Sequence, residues 1–246
     1  MIHVEKLSKQ FQDGGAYAVR DVSFHVDKGQ IACLIGSSGC GKTTTLRMIN
    51  RLLEPSSGSI SINGVEYQSS DPIAWRRGMG YVVQSVGLMP HMTIRQNIEI
   101  LSRAMGRERS ERRKRSRKLM DMVGLPPDGF SDRYPDELSG GQQQRVGIAR
   151  ALMEDPPVLL MDEPFGALDP IIRSSMHEEL IQLNRQLQKT ILMVTHDMSE
   201  AFKLGNLIAI MDQGSIVQQG TPRQLIDQPV NEFVANFCRG AALDLP

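Results

Sequence analysis

Val19, Val22, Phe24 and Val26 alternate loosely with polar residues. That pattern predicts a half-buried strand, ended by an Asp27-Lys28-Gly29 turn. Residues 1–30 read as β-rich throughout. Residues 30–35 form a short apolar run of strand length. At 43–53 the spacing becomes helical, with Leu46, Ile49 and Leu53 on one face, and it stops before Pro55. Residues 57–62 return to a strand pattern and enter an Asn63-Gly64 hairpin turn. A further strand is expected at 79–84. From about 86 to 138 the chain is helical and rich in charge, punctuated by Pro90, Pro126-Pro127 and Pro135. Strand patterns resume at 158–161, 190–195 and 207–211, with helical stretches between them. Strand–helix alternation predicts an α/β fold with a largely parallel sheet, and the inserted helical segment predicts a second subdomain. No apolar stretch approaches the roughly 18 residues of a membrane helix.

Composition changes this picture little. The chain has 246 residues, 28 Lys plus Arg against 28 Asp plus Glu, and so a formal net charge of zero. Nothing global points to nucleic acid or to an acidic surface. The cysteines Cys33, Cys40 and Cys238 have no metal-like spacing and read as reduced cytosolic thiols. The start, Met1-Ile2-His3-Val4-Glu5-Lys6, lacks the basic and apolar regions of a secretion signal. One local anomaly stands out: eight of the twelve residues at 107–118 are Lys or Arg. The plain reading is a solvated helix face. The sharper one is contact with anionic lipid headgroups. No aromatic residues interleave with these charges, so stacking of nucleic-acid bases has no platform.

Three segments carry chemistry. The first is Gly36-Ser37-Ser38-Gly39-Cys40-Gly41-Lys42-Thr43, continued by Thr44, with a strand before it and a helix after it. This is the context a phosphate-binding loop requires. Its glycines let backbone N–H groups curl around phosphates, and the helix start adds its positive end. Lys42 is expected to reach the β- and γ-phosphates of ATP, and Thr43 to ligate Mg²⁺. The second segment is the apolar run at 158–161 ending in Asp162-Glu163. Asp162 is expected to hold Mg²⁺, directly or through water, and Glu163 to face the attacking water. The third is Leu138-Ser139-Gly140-Gly141-Gln142. Ser139 can cap the helix that begins there, and its hydroxyl with the glycine N–H groups makes an anion site. Gln84 ends a strand where the helical insert begins, so its amide can touch metal or water and also move with the insert. Cys40 inside the loop reads as a small residue that fits, or as a thiol whose oxidation would crowd the phosphates.

Together these segments resemble the ATP-binding cassette of membrane transporters, over nearly the whole chain. The resemblance implies a P-loop NTPase (RecA-like) core with an N-terminal antiparallel β subdomain and an inserted helical subdomain. It implies one domain over 1–246: a core with the β subdomain at 1–85 and 139–230, a helical subdomain at 86–138, and a short tail at 231–246. His196, in Val194-Thr195-His196-Asp197, resembles the switch histidine that contacts the γ-phosphate. In this family the 139–142 signature closes on the γ-phosphate bound by the other subunit, giving a head-to-tail homodimer around two ATP molecules. Asp169, in Ala167-Leu168-Asp169, resembles the loop crossing that interface. The family stacks adenine on an aromatic residue ahead of the first long strand. Phe11 matches that place, Tyr17 lies closer to the strand, and either ring could instead belong to the core.

Two further stretches indicate the branch. Tyr134-Pro135-Asp136-Glu137 and Gly87-Leu88-Met89-Pro90-His91-Met92-Thr93 look like bacterial importer cassettes. The stretch CGKTTTLRMINRLLEPSSGSISING is similar to ATPases serving quaternary amines such as glycine betaine, choline and carnitine. Many of those carry a regulatory domain after the cassette, and the stretch beyond Gly220 is too short to hold one. The resemblance implies integral-membrane permease subunits, an extracytoplasmic solute-binding protein, and no nucleic acid as partners. It implies a peripheral position on the cytoplasmic face of the inner membrane. The alternatives are a cassette for amino acids, anions or lipids, and a soluble ABC ATPase acting on DNA or ribosomes.

Overall fold

The computed structural model describes residues 1–12 and 14–239. In chain order the elements are β1 (Ile2–Gln10), β2 (Tyr17–Val26), β3 (Ile31–Gly36), α1 (Lys42–Ile49), β4 (Ser57–Ile62), β5 (Val65–Glu66), α2 (Pro72–Arg77) and β6 (Met79–Val82). There follow α3 (Ile94–Ala104), α4 (Arg109–Met122), α5 (Pro127–Phe130), α6 (Gly140–Ala151), β7 (Val158–Asp162) and α7 (Pro170–Leu187). The last are β8 (Thr190–Thr195), α8 (Met198–Leu204), β9 (Leu207–Asp212), β10 (Ser215–Gly220), α9 (Pro222–Asp227) and α10 (Glu232–Arg239). The chain divides into two compact units, Met1–Arg76 with Gln188–Pro246, and Arg77–Leu187. No helix among the described residues is long and apolar enough to cross a membrane.

The first unit holds an antiparallel sheet in the order β2-β1-β4-β5. Val19, Val22, Phe24 and Val26 are all buried, as their pattern predicts. The alternation slips by one between Val19 and Val22 because the β1–β2 register shifts there, and Asp21 sits in the left-handed region at φ 49°. An extra residue at a bulge restores the inward face beyond it. Asn63 and Gly64 both have positive φ, 54° and 77°, which is the turn a two-residue hairpin favours. The same unit pairs β3 in parallel with both β8 and β9, and β9 antiparallel with β10. All six residues of β3 and all six of β8 are buried, which requires the continuous apolar runs seen in the sequence. Helix α1 ends four residues before the expected Leu53. Asn50 caps it, and Arg51 turns into the left-handed region at φ 54°, so the chain leaves the helical path there.

The second unit pairs β6 in parallel with β7, Val82 opposite Met161. Strand β6 ends two residues earlier than the expected Gln84. The helical segment 86–138 lies within this unit. Thr93 opens α3 with a reciprocal capping box to Gln96. Ile94, Ile98, Leu119, Met120 and Val146 from α3, α4 and α6 are fully buried and form its core. The basic stretch falls mostly on α4 and is extensively paired. Arg115 meets Asp155 at 2.9 Å, Arg117 meets Asp128 at 2.8 Å, and Arg112 meets the buried Glu99 at 3.5 Å. The two solvent-exposed pairs, Arg115–Asp155 and Arg117–Asp128, contribute about 0–1 kcal/mol each, and the fully buried Leu119 and Met120 seat α4 in the core.

Gly80 in β6 is the tightest backbone approach in this unit. A Cβ there would lie 2.5 Å from the Ala151 carbonyl oxygen and 2.5 Å from Leu159 Cδ2. Gly80→Ala must move the end of α6, and is expected to destabilise the fold by about 1–3 kcal/mol. Denaturant unfolding of the variant beside the parent chain measures this. An unchanged midpoint would contradict the packing described.

Candidate functional site

The candidate residues are divided between the two units. In the first, β3 delivers the chain into the loop of residues 36–43. Gly36 has φ 153°, and a Cβ there would lie 2.1 Å from the Met211 carbonyl oxygen and 2.7 Å from Cys40 Sγ. Only glycine fits. Gly41, at φ 105°, is the N-cap of α1 and makes no side-chain cap bond. No side chain therefore competes with a ligand at the cap of α1. Lys42 is only 5% exposed. Its Nζ donates to the carbonyls of Gly36 at 2.8 Å and Ser37 at 2.9 Å, and lies 3.7 Å from Cys40 Sγ. Cys40 is buried, while Ser37, Ser38 and Gly39 are exposed and Thr43 and Thr44 half-buried.

The parallel register sets what emerges beside this loop. Ile35 pairs with Thr195, so Gly36 and the exposed His196 leave their strands at the same carboxyl edge. Asp197 caps α8 by accepting from the Glu200 amide at 3.3 Å. Thr195 Oγ1 bonds the buried Glu200 carboxylate and accepts from the Asp197 amide at 3.0 Å. Phe11 and Tyr17 flank the turn between β1 and β2. They are 64% and 48% exposed, so the core reading fails for both rings. Lys9 Nζ lies 5.6 Å from the Phe11 ring centroid.

In the second unit, β6 and β7 end together. Gln84 Nε2 donates to Glu163 Oε2 at 3.0 Å. Asp162 is 5% exposed, and Tyr81 Oη approaches its Oδ2 at 3.4 Å. The sequence reading missed Tyr81. Its signal was a hydroxyl inside an otherwise apolar strand. Glu163 adopts φ 44° and Val86 φ 54°. Positive φ at a β-branched residue is a rare, strained state. Arg150 on α6, also missed, donates to the Val86 carbonyl and to the Gly87 carbonyl at 2.7 Å. Burial pushes the Arg150 guanidinium pKa down from its ordinary value.

Ser139 caps α6: its hydroxyl accepts from the Gln142 amide at 3.4 Å, and Gln142 Oε1 accepts from the Ser139 amide at 3.0 Å. The Gln142 side chain is thus engaged by the cap itself. Gly140 is exposed at the helix start, whereas a Cβ on Gly141 would come within 2.7 Å of Ile172 Cγ2. Asp169 is exposed and caps α7, accepting from the Ile171 and Ile172 amides at 3.1 Å each.

A phosphate-type loop, a strand ending in two carboxylates and a Ser-Gly-Gly helix start define a nucleotide-binding cassette. The protein-family model for ABC transporter matches residues 19–166, and the chain belongs to that family. It is 52% identical over 237 residues to the glycine betaine/carnitine/choline transport ATP-binding protein of Bacillus subtilis, covering 96% of this chain and 62% of that protein. It is 51% identical over 240 residues to the osmoprotectant import ATP-binding protein of Salmonella typhimurium, covering 96% of this chain and 63% of that protein. The chain thus spans a little under two thirds of these curated relatives. Among solved structures, a bacterial ABC transporter cassette in dimeric form superposes with a TM-score of 0.79 at 33% identity, over 90% of this chain and 98% of that one. The cbiO1 protein of Clostridium perfringens, part of an ABC transporter complex, superposes with a TM-score of 0.85 at 28% identity, over 100% of this chain and 95% of that one. The fold is that of an ABC cassette.

The cap geometry yields a test. Ser139→Ala removes the side-chain acceptor and is expected to cost about 1 kcal/mol of stability, whereas Ser139→Asp, an equally good cap, keeps it. Thermal unfolding of the two variants distinguishes them. Equal losses would show that capping is not what Ser139 contributes to the fold.

Proposed function

We propose that this chain is the ATP-hydrolysing subunit of an ABC import system, powering uptake of a small quaternary-amine osmoprotectant through partner permease subunits. The 3.0 Å contact between Gln84 and Glu163, beside the buried Asp162, carries the hydrolytic reading. The cargo class rests on the names of relatives about half identical in sequence. Lys42 and the loop amides would bind the β- and γ-phosphates, with Phe11 or Tyr17 under the adenine. Thr43 and Asp162 offer hard oxygen donors of the kind Mg²⁺ takes, beside phosphate oxygens and water, with Gln84 close to them in role. When bound, the ion would neutralise charge developing on the γ-phosphate. Glu163 would orient the attacking water and accept its proton, and His196 would contact the γ-phosphate. Ser139, Gly140 and Gly141 of a second copy would complete the anion site, with Asp169 at the same interface. Closure of the dimer is then an equilibrium that ATP biases, because the ligand touches both chains only in the closed form. The subunit would sit peripherally on the cytoplasmic face of the inner membrane, served by an extracytoplasmic binding protein.

Glu163→Gln is expected to bind ATP and dimerise while hydrolysis falls by about 10²-fold or more, in line with the loss of a positioned proton acceptor. Light scattering with saturating MgATP reads the dimer, and phosphate release reads turnover. A variant that stays monomeric sinks the shared-site reading.

Purification of the tagged chain from gently solubilised membranes, with mass spectrometry of what accompanies it, tests the assignment. A multi-span permease is expected, and a binding protein with an aromatic cage would support the quaternary-amine cargo. Ribosomal or DNA-bound partners without a permease would overturn the transport role.

A further inference from the structure

The antiparallel sheet of the first unit sets two histidines side by side on an exposed face, far from the chemistry above in role. His3 on β1 and His25 on β2 are direct cross-strand partners. Their ring centroids are 5.6 Å apart with the planes tilted by 59°. Their Nδ1 atoms face each other at 3.4 Å. On the other side of the His25 ring, Nε2 lies 3.1 Å from Asp27 Oδ1. Both histidines are exposed, and nothing in the nucleotide chemistry uses them.

We propose that His3 and His25 form a cross-strand binding site for a first-row transition cation of the zinc, copper and nickel class. The cation binds through the two Nδ1 atoms, and Asp27 orients His25. The argument is geometric. A tetrahedral centre with metal–nitrogen bonds of about 2.05 Å needs its two nitrogens about 3.3 Å apart. The observed 3.4 Å matches that edge without movement of either strand. The Asp27 carboxylate supplies the second requirement. A ring that donates its Nε2–H to a carboxylate carries its lone pair on Nδ1, which here faces His3. With His25 in that tautomer, the 3.4 Å contact is a hydrogen bond in which His3 Nδ1–H donates to His25 Nδ1. Binding the cation at His3 Nδ1 requires that ring to change tautomer: the Nδ1 proton is lost to solvent and one is gained on Nε2, so both rings stay neutral and no net proton is released.

The donor set selects the ligand. Two neutral imidazoles suit zinc, copper and nickel, and suit magnesium or calcium poorly. Among the described residues no group of three or more His, Cys, Asp and Glu side chains gathers around a metal position. Water therefore completes the shell, and the site is open and exchangeable rather than closed like a structural zinc site. Its physical effect is to tie β1 to β2. Because the two histidines are 22 positions apart in sequence, the unfolded chain does not hold them together. A cation that prefers the folded sheet raises its melting temperature.

The test uses the full chain without a histidine tag and without nucleotide, titrated separately with Zn²⁺, Cu²⁺ and Mg²⁺. One equivalent of Zn²⁺ or Cu²⁺ is expected to bind, with a rise in melting temperature that Mg²⁺ does not reproduce. His3→Ala and His25→Ala should each weaken binding at least 10-fold, and the double variant should weaken it further than either single one. Asp27→Asn should weaken it about 10-fold, as loss of an orienting carboxylate does. Paramagnetic resonance of the Cu²⁺ form should show two imidazole nitrogens, falling to one in each single variant. Melting in chelator keeps the parent value if the variants fold normally, and a lowered value is answered by the nitrogen count alone. Zn²⁺ and Cu²⁺ affinity unchanged in both alanine variants, no binding by the parent chain, or an equal response to Mg²⁺ would each overturn the proposal.

Discussion

A strand covered on both faces has no room for polar side chains along its length, so polar chemistry can leave it only at an end. Strands β3, β7 and β8 are buried at every residue. Their sequences are accordingly apolar between the strand ends, with Thr190 opening β8 and Asp162 and Thr195 standing at the last positions of β7 and β8. Parallel pairing then sends the chain out of neighbouring strands in the same direction. In the first unit the match of Ile35 with Thr195 brings the phosphate-type loop and His196 out together. In the second, the match of Val82 with Met161 does the same for Gln84 and Glu163. The candidate site is a consequence of where apolar runs stop.

Those exits are sharp, and sharp exits need unusual backbone. Gly36 meets a carbonyl where any side chain would sit. Glu163 and Val86 occupy the left-handed region without being glycine. Each such residue costs about 1–3 kcal/mol unless its surroundings hold it. For Val86 the holding group is identifiable. Arg150 donates to its carbonyl and to that of Gly87, and Gly147 on the same helix leaves the space that a Val86 methyl occupies, at 3.1 Å from where a Cβ would stand. For Glu163 it is the Gln84 amide on one side and the following turn, with the Gly166 amide donating to the Glu163 carbonyl at 3.2 Å, on the other.

What the sequence made legible follows from the range of the interactions involved. Strand β8 and the Asn63-Gly64 turn were readable because their signals are local: a continuous apolar run in one case, two residues tolerant of positive φ in the other. Ser139 as a cap was readable for the same reason. The bulge at Asp21 was not, since a slipped alternation looks the same as a weak one. The end of α1 was overestimated because Leu53 continues the apolar spacing although Arg51 has already left the helix. Tyr81, Arg150 and the His3–His25 pair were invisible because each depends on a partner many residues away. A tyrosine in an apolar run reads as core until its neighbour across the sheet is known to end in a carboxylate.

Helix α6 shows what such distant partners add. Its first residues are held by the reciprocal bonds of Ser139 and Gln142, and Arg150 in its last turn holds the loop that follows Gln84. Twelve helical residues span about 18 Å and behave as one stiff body. The backbone around Gln84 and the Ser-Gly-Gly helix start are therefore fastened to opposite ends of the same rod. A shift of residues 86 and 87 would strain or break the charge-assisted bonds they receive from Arg150. Because Gln84 also grips Glu163, three groups that lie far apart in sequence share one mechanical constraint within this unit. That constraint comes from ordinary capping, packing and hydrogen bonding.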